Sequence, residues 1–239
     1  MVKLAIGKVE LGKRPVIAAV VDKVISCARL VELAEQGAEV VELRFDLLSL
    51  PVDEAVAYAV SIREYGCFGL LATCRETEAN RGYRVDYLRA VMPYVDAVDE
   101  EVSSPDAEQV LALAAGKTRI VSHHDFQGTP DEAGLSEFAE VCFKKGGQIA
   151  KIATMARSNR EVERIEAFSR FFKRPMISIA MGPLGADWRV RAFKAGSLLT
   201  YAFTGEHEVA PGQLGVPDLA RRLSAAFPSF KQWMKKRTQ

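Results

Sequence analysis

Gln148-Ile149-Ala150-Lys151-Ile152-Ala153-Thr154-Met155 is an apolar run with one charge at its centre. Ile and Thr at this density favour an extended strand. On either side, residues 131–145 and 159–172 carry charged, amphipathic sequence with helical spacing. The unit reads helix, strand, helix. Working outward, the same alternation repeats along the chain. Apolar runs rich in Val, Ile and Thr lie at 16–21, 39–45, 69–75, 97–102, 118–124, 175–181 and 197–203. Between them, 26–37, 51–65, 86–92 and 106–115 read as helices. In 26–37, Ala28, Leu30, Val31, Leu33 and Ala34 share a face and Gly37 is a natural C-cap. Several of these segments open on an Asp, Asn or Ser suited to N-capping.

Such alternation predicts parallel strands joined by helical crossovers. Eight strands in a chain of 239 residues predict an α/β fold of the closed (β/α)8 TIM-barrel type. The rival, an open doubly wound sheet, announces itself with a Gly-rich phosphate turn after its first strand. Here the first run ends in Val21-Asp22-Lys23. No linker or low-complexity tract interrupts the pattern, so one domain is expected over 1–239. Its end is expected to be a helix at about 216–238. There Phe227, Phe230 and Trp233 recur at helical spacing among Lys231, Lys235, Lys236 and Arg237.

With 32 Lys+Arg against 31 Asp+Glu, the net charge of +1 gives no global field for nucleic acid or an anionic membrane. No partner of either kind is predicted. Cys27, Cys67, Cys74 and Cys142 form no CxxC pair and do not sit at zinc-finger spacing to His123, His124 or His207. They read as reduced thiols, with no metal expected. The opening residues lack a signal-peptide apolar core, and no run approaches the ~20 apolar residues of a membrane helix. A cytoplasmic location is the expectation.

A barrel carries its chemistry at the carboxyl ends of its strands. The second run ends Glu42-Leu43-Arg44-Phe45-Asp46, in which Glu42, Arg44 and Asp46 share one parity. The third ends Thr73-Cys74-Arg75, the fourth Asp99-Glu100-Glu101, and the fifth Ser122-His123-His124-Asp125. Arg189 follows the seventh. Lys151 is the most informative, because its neighbours demand burial. The plain reading is a snorkelling lysine or one paired with a carboxylate such as Glu101. The functional reading is an amine whose charge is disfavoured by desolvation and nearby cations, free to attack a carbonyl and form a Schiff base. His124, where a strand empties into the barrel mouth, suits proton transfer near neutral pH. Arg44, Arg75 and Arg189, if convergent, make a site for an anionic, hydroxyl-rich small molecule. Met181-Gly182-Pro183-Leu184-Gly185 and Ala210-Pro211-Gly212-Gln213 read as turns.

Taken in order, these motifs resemble the type I 3-dehydroquinate dehydratases, Schiff-base enzymes of the shikimate pathway. The likeness runs from Glu42–Asp46 through Thr73–Arg75, Ser122–Phe126, Lys151–Ala153, Met181–Arg189 and Gly196–Tyr201 to Ala210–Gln213. It implies a (β/α)8 barrel, no cofactor, a homodimer, and dehydration of 3-dehydroquinate to 3-dehydroshikimate. By the same resemblance Lys151 forms the imine and His124 is the general acid/base. Glu42, Arg44 and Arg75 hold ring hydroxyls, while Arg189 and Gln213 clamp the carboxylate. Three positions depart from the family pattern. The acid that orients the histidine is expected at Ala79, leaving Glu78, one residue early, to substitute. Val209 replaces a lid serine, and Trp188 stands where a serine usually precedes the clamp arginine. Two other readings stand beside it: a class I aldolase-type Schiff-base barrel, and a non-catalytic ligand-binding homologue. The former wants a Gly-rich phosphate loop near the last two strands, which is missing here.

Overall fold

The computed structural model describes residues 4–237. The outermost residues of the expected domain, and position 238 of the expected terminal helix, lie outside the described residues. The eight anticipated strands are present: β1 (Ile17–Val21), β2 (Ala38–Arg44), β3 (Gly69–Thr73), β4 (Ala97–Glu101), β5 (Thr118–Asp125), β6 (Ile149–Met155), β7 (Met176–Met181) and β8 (Thr200–Phe203). Each pairs in parallel with its neighbour from β1 to β7, and β8 pairs with β1. The ring closes between β7 and β8 through a parallel bridge, Met176 to Ser197, with Leu198 N donating to Met176 O at 3.0 Å. Beyond that bridge the chain returning at Leu214–Gly215 pairs with β8 and takes the edge β7 would otherwise occupy. This is the (β/α)8 barrel that the alternation predicted.

Strand parity explains why the runs read as continuously apolar. On β2, Val40 and Glu42 face the barrel interior, while Val41 and Leu43 face the helices. Interior residues include Val20, Leu71, Ile120, Ile149, Ile177 and Tyr201. The outer layer joins Leu70, Val98, Val121 and Ile152 to helical residues such as Ile62, Leu88, Leu135 and Phe168. Both faces of every strand are therefore covered.

Crossover helices are α1 (Cys27–Glu35), α2 (Val52–Glu64), α3 (Arg84–Val91), α4 (Ala107–Leu113), α5 (Glu132–Lys144) and α6 (Asn159–Phe171). Ser26 and Asp131 cap α1 and α5 through their side chains, and Ser158 with Glu161 forms a capping box on α6. After β7 the crossover shrinks to a helical turn, Trp188–Arg191.

Two features differ from expectation. A short hairpin, Ala5–Ile6 with Val9–Glu10, plugs the base of the barrel with Ile6, Val9 and Leu11. It packs so closely that a Cβ on Gly69 would lie 2.3 Å from the Ile6 carbonyl oxygen. The terminal helix is two helices, α7 (Val216–Ala226) and α8 (Pro228–Arg237). Pro228 has no N–H to donate and disfavours helical backbone at Phe227, so the first helix stops there. Phe230 of α8 is fully buried, and Trp233 lies under the Arg14 guanidinium, 4.0 Å from its carbon.

Candidate active site

The carboxyl ends of the strands open into one cavity, with about 110 Å³ accessible to the centre of a water molecule. Glu42 and Arg44 reach it from β2, Arg75 from the loop after β3, His124 from β5 and Lys151 from β6. Arg189 enters from the helical turn after β7, and Val209, Ala210, Pro211 and Gln213 from the loop after β8. Seven of the eight residues singled out from the sequence thus converge. Glu78 does not.

Lys151 is 6% exposed, and its Nζ lies 2.6 Å from Asp99 Oδ2. The Tyr201 ring lies beside it, 4.1 Å from centroid to Nζ. The carboxylate partner is therefore Asp99 rather than Glu101. Burial would push the Asp99 carboxyl up, but the Lys151 ammonium, aided by Ser122 and His124, holds it below the ordinary range. Asp99 Oδ1 and the Tyr201 hydroxyl are buried with no protein partner.

His124 is held from both sides. Arg75 Nη2 lies 2.7 Å from its Nε2, and Glu101 Oε2 lies 2.6 Å from its Nδ1. A guanidinium only donates, so Nε2 accepts and the ring hydrogen of the neutral imidazole sits on Nδ1, facing Glu101. Burial lowers the His124 pKa well below its ordinary value, and the cations Arg75 and Lys151 lower it further. Glu101 moves the other way: burial, opposed by Arg75, pushes it up to about 7.

Glu78 is exposed, on the turn that follows Arg75. Asn80 decides that geometry. Its Oδ1 accepts from Thr77 N at 2.8 Å and its Nδ2 donates to Arg75 O at 2.8 Å. The pinned turn carries Glu78 outward, and the contact expected from it to His124 is made by Glu101 instead.

Thr73 Oγ1 of β3 donates to Glu42 Oε1 of β2 at 2.7 Å, and Asp46, just beyond β2, binds Arg44 through both carboxylate oxygens, at 3.0 and 2.6 Å. Arg189 Nε donates to Gly212 O at 2.8 Å and Nη2 to Pro211 O at 3.2 Å. Burial lowers its pKa to about 10. Gln213 Oε1 accepts from the backbone N–H groups of Val209 and Ala210 at 3.0 and 3.2 Å. Both residues thus fold the 209–213 loop over the cavity. Val209 lines that cavity, whereas Trp188 is fully buried in the outer core. Asp99, Tyr201, Thr73 and Asp46 were not assigned roles from the sequence. The signal for Asp99 is its parity with Glu101 at the carboxyl end of its strand, Asp99-Glu100-Glu101.

An amine nucleophile beside a proton acceptor, a neutral imidazole whose Nε2 lone pair faces the cavity under Arg75, and three guanidinium groups can condense with a carbonyl and move protons on an anionic substrate. Among the described residues no group of three or more His, Cys, Asp or Glu is placed to hold a metal. No helix among them is long and apolar enough to cross a membrane.

The fold and cavity define a (β/α)8-barrel enzyme with a lysine buried on its sixth strand. The family model described as Type I 3-dehydroquinase matches residues 15–228, and the chain belongs to that family. A 3-dehydroquinate dehydratase of Methanosarcina barkeri is 34% identical over 237 residues, covering 91% of this chain and 97% of its own. One from Methanococcoides burtonii is 32% identical over 233 residues, covering 92% and 98%. Among solved structures, the 3-dehydroquinate dehydratase of Geobacillus kaustophilus superposes with a TM-score of 0.78 at 25% identity, covering 94% of this chain and 96% of that one. The type I enzyme of Clostridium difficile, with covalently modified comenic acid, gives 0.81 at 21% identity, covering 95% and 99%, and bears on the fold alone.

Proposed function

We propose that this chain dehydrates 3-dehydroquinate to 3-dehydroshikimate through an imine on Lys151. The observation that carries the reading is Lys151 itself, an amine buried in the barrel mouth 2.6 Å from a carboxylate, with His124 on the same cavity. Asp99 takes a proton from the Lys151 ammonium. The freed amine attacks the C3 ketone, and the carbonyl oxygen, taking one proton from the attacking nitrogen and one back from Asp99, leaves as water. The resulting iminium withdraws electrons from the adjacent C2–H bond, and His124 Nε2 takes that proton. The electron pair moves to C1–C2 and expels the C1 hydroxyl, which leaves as water with the proton from His124. Water then hydrolyses the imine and releases the enone.

Arg75 donates to Nε2, so it must transfer its hydrogen bond to the substrate before the proton moves. A ring hydroxyl, held with Glu42 and Arg44, is its natural acceptor. Arg189 and Gln213 receive the substrate carboxylate, exchanging bonds now made to the 209–213 loop. The family reading further supports a cytoplasmic homodimer, which sedimentation of the purified chain tests.

The decisive experiment is borohydride reduction in the presence of 3-dehydroquinate, followed by peptide mass analysis. An adduct at Lys151 is expected, with no adduct and no enone absorbance in Lys151→Ala. His124→Ala should still form the adduct while losing dehydration. Turnover by purified Lys151→Ala would sink the covalent route.

A further inference from the structure

We propose that Glu101 is the positioning residue of the site: its ionised carboxylate holds His124 as the Nδ1–H tautomer and so keeps the Nε2 lone pair turned to the cavity. The proposal rests on the reading of His124 as the acid/base. Three observations support it. First, Glu101 Oε2 lies 2.6 Å from Nδ1 while Arg75, which only donates, lies 2.7 Å from Nε2, so the two contacts select one tautomer. Second, among the described residues Glu101 is the carboxylate hydrogen-bonded to the ring: position 79 is alanine, and Glu78 is turned out to solvent.

Third, Glu101 does not line the substrate cavity. It lines a separate cavity with Arg75, Glu76, His124 and Phe126. His124, Arg75 and Phe126 line both cavities and form the partition between them. Water reaches the Glu101 carboxylate from behind the histidine, so it can exchange protons with solvent while the substrate cavity is filled. Its side chain is 21% exposed.

The charge environment makes this contact sensitive to pH. Glu101 faces Asp99 on its own strand, His123 and His124 on β5, Lys151 on β6, Cys142 on α5, and Arg75 and Glu76 from the loop after β3. Burial dominates and pushes its carboxyl up to about 7. A protonated Glu101 would donate to Nδ1 instead of accepting from it. The ring hydrogen would then move to Nε2, where it opposes Arg75 and leaves no lone pair for the substrate proton. Because His124 itself is held well below its ordinary range, Glu101 is the group of this pair that titrates near neutrality.

Two measurements test the proposal. Nitrogen-15 spectra of the histidine rings in the substrate-free wild type should show His124 as Nδ1–H at about pH 8, losing that form toward about pH 5.5. An Nε2–H tautomer at the higher pH overturns the proposal, whatever the enzyme's activity. Second, kcat is measured against pH for wild type and Glu101→Gln. The amide does not titrate and can present either its oxygen or its NH2 to Nδ1, so it no longer selects one tautomer. In wild type kcat should fall on the acid side with a midpoint near 7. In Glu101→Gln kcat should be lower by roughly 10²-fold with that acid limb flattened and KM changed little. The borohydride adduct at Lys151 should persist. Wild-type kcat with an unchanged acid limb in Glu101→Gln overturns the proposal. Absence of the adduct in the wild-type protein would instead count against the proposed reaction, leaving the tautomer measurement to decide the role of Glu101.

Discussion

Replacing Arg84 with methionine would expose how much the barrel wall supports the site. Arg84 of α3 is 1% exposed and its partner Glu100 on β4 is 0% exposed. Its Nη2 donates to Glu100 Oε1 at 2.6 Å, its Nη1 to Ser104 Oγ at 3.2 Å, and its Nε to the Cys74 carbonyl. That last bond fixes the backbone immediately before Arg75. Arg84→Met keeps much of the apolar stem but leaves a buried carboxylate without its counter-charge. Breaking a buried pair from one side costs about 3–5 kcal/mol. At roughly 2–4 °C per kcal/mol for a chain of this size, Tm should fall by about 6–20 °C.

Glu100 adds a pH signature. Burial pushes its carboxyl above the ordinary range although Arg84 pulls it down, and without Arg84 burial and Asp99 are opposed only by the Ser104 hydroxyl. A carboxyl raised in the folded state favours folding below its unfolded pKa of about 4.3. That advantage is lost as pH rises through the folded value. The Arg84→Met defect should therefore be largest at neutral and alkaline pH and shrink on acidification. Urea and thermal unfolding at several pH values measure it, with Arg84→Met/Glu100→Leu alongside. Removing both charges should restore most of the lost stability. A single-variant loss below about 1 kcal/mol, the range of exposed pairs, or a defect independent of pH would refute the reasoning.

Other expectations follow from the site and the base of the barrel. Gly212 has φ +72°, and a Cβ there would meet the Gly182 carbonyl oxygen at 2.2 Å. Gly212→Ala should prevent the 209–213 loop from seating and raise KM about tenfold with Tm nearly unchanged, as steady-state kinetics and a thermal melt would show. Asp99→Asn cannot accept the Lys151 proton, so the rate of borohydride-trappable imine formation should fall roughly 10²-fold at neutral pH. An undiminished trapping rate would remove Asp99 from the reaction. Phe230→Ala empties a fully buried site beneath the barrel and should cost about 3–5 kcal/mol in urea unfolding, without changing kcat at temperatures where the variant stays folded.

Sequence periodicity made the barrel legible because every strand is covered on both faces and stands out as an apolar run. The observed strands begin or end within a few residues of those runs. The base hairpin was not legible: two residues per strand leave no period to read, and what orders them is contact with Gly69 and the barrel floor. Parity grouped Glu42 with Arg44, strand-end position picked out Arg75 and His124, and an apolar setting picked out Lys151. Parity cannot fix height along the barrel. Pairing sets Glu101 opposite Ser122 and Ser122 opposite Lys151, so a flat sheet would bring the lysine to Glu101. A closed eight-stranded barrel is sheared, however, and its layers draw on alternate strands with the register displaced. Between β6 and β4 a displacement of two residues brings Asp99, not Glu101, to the Lys151 amine. The same stagger lifts Glu101 to the level of the His124 ring. One geometric consequence of closing the sheet thus divides two acids of the same strand and parity, giving the amine its proton acceptor and the imidazole its hydrogen-bond partner. The acid that the turn at 77–80 fails to supply comes from the barrel wall.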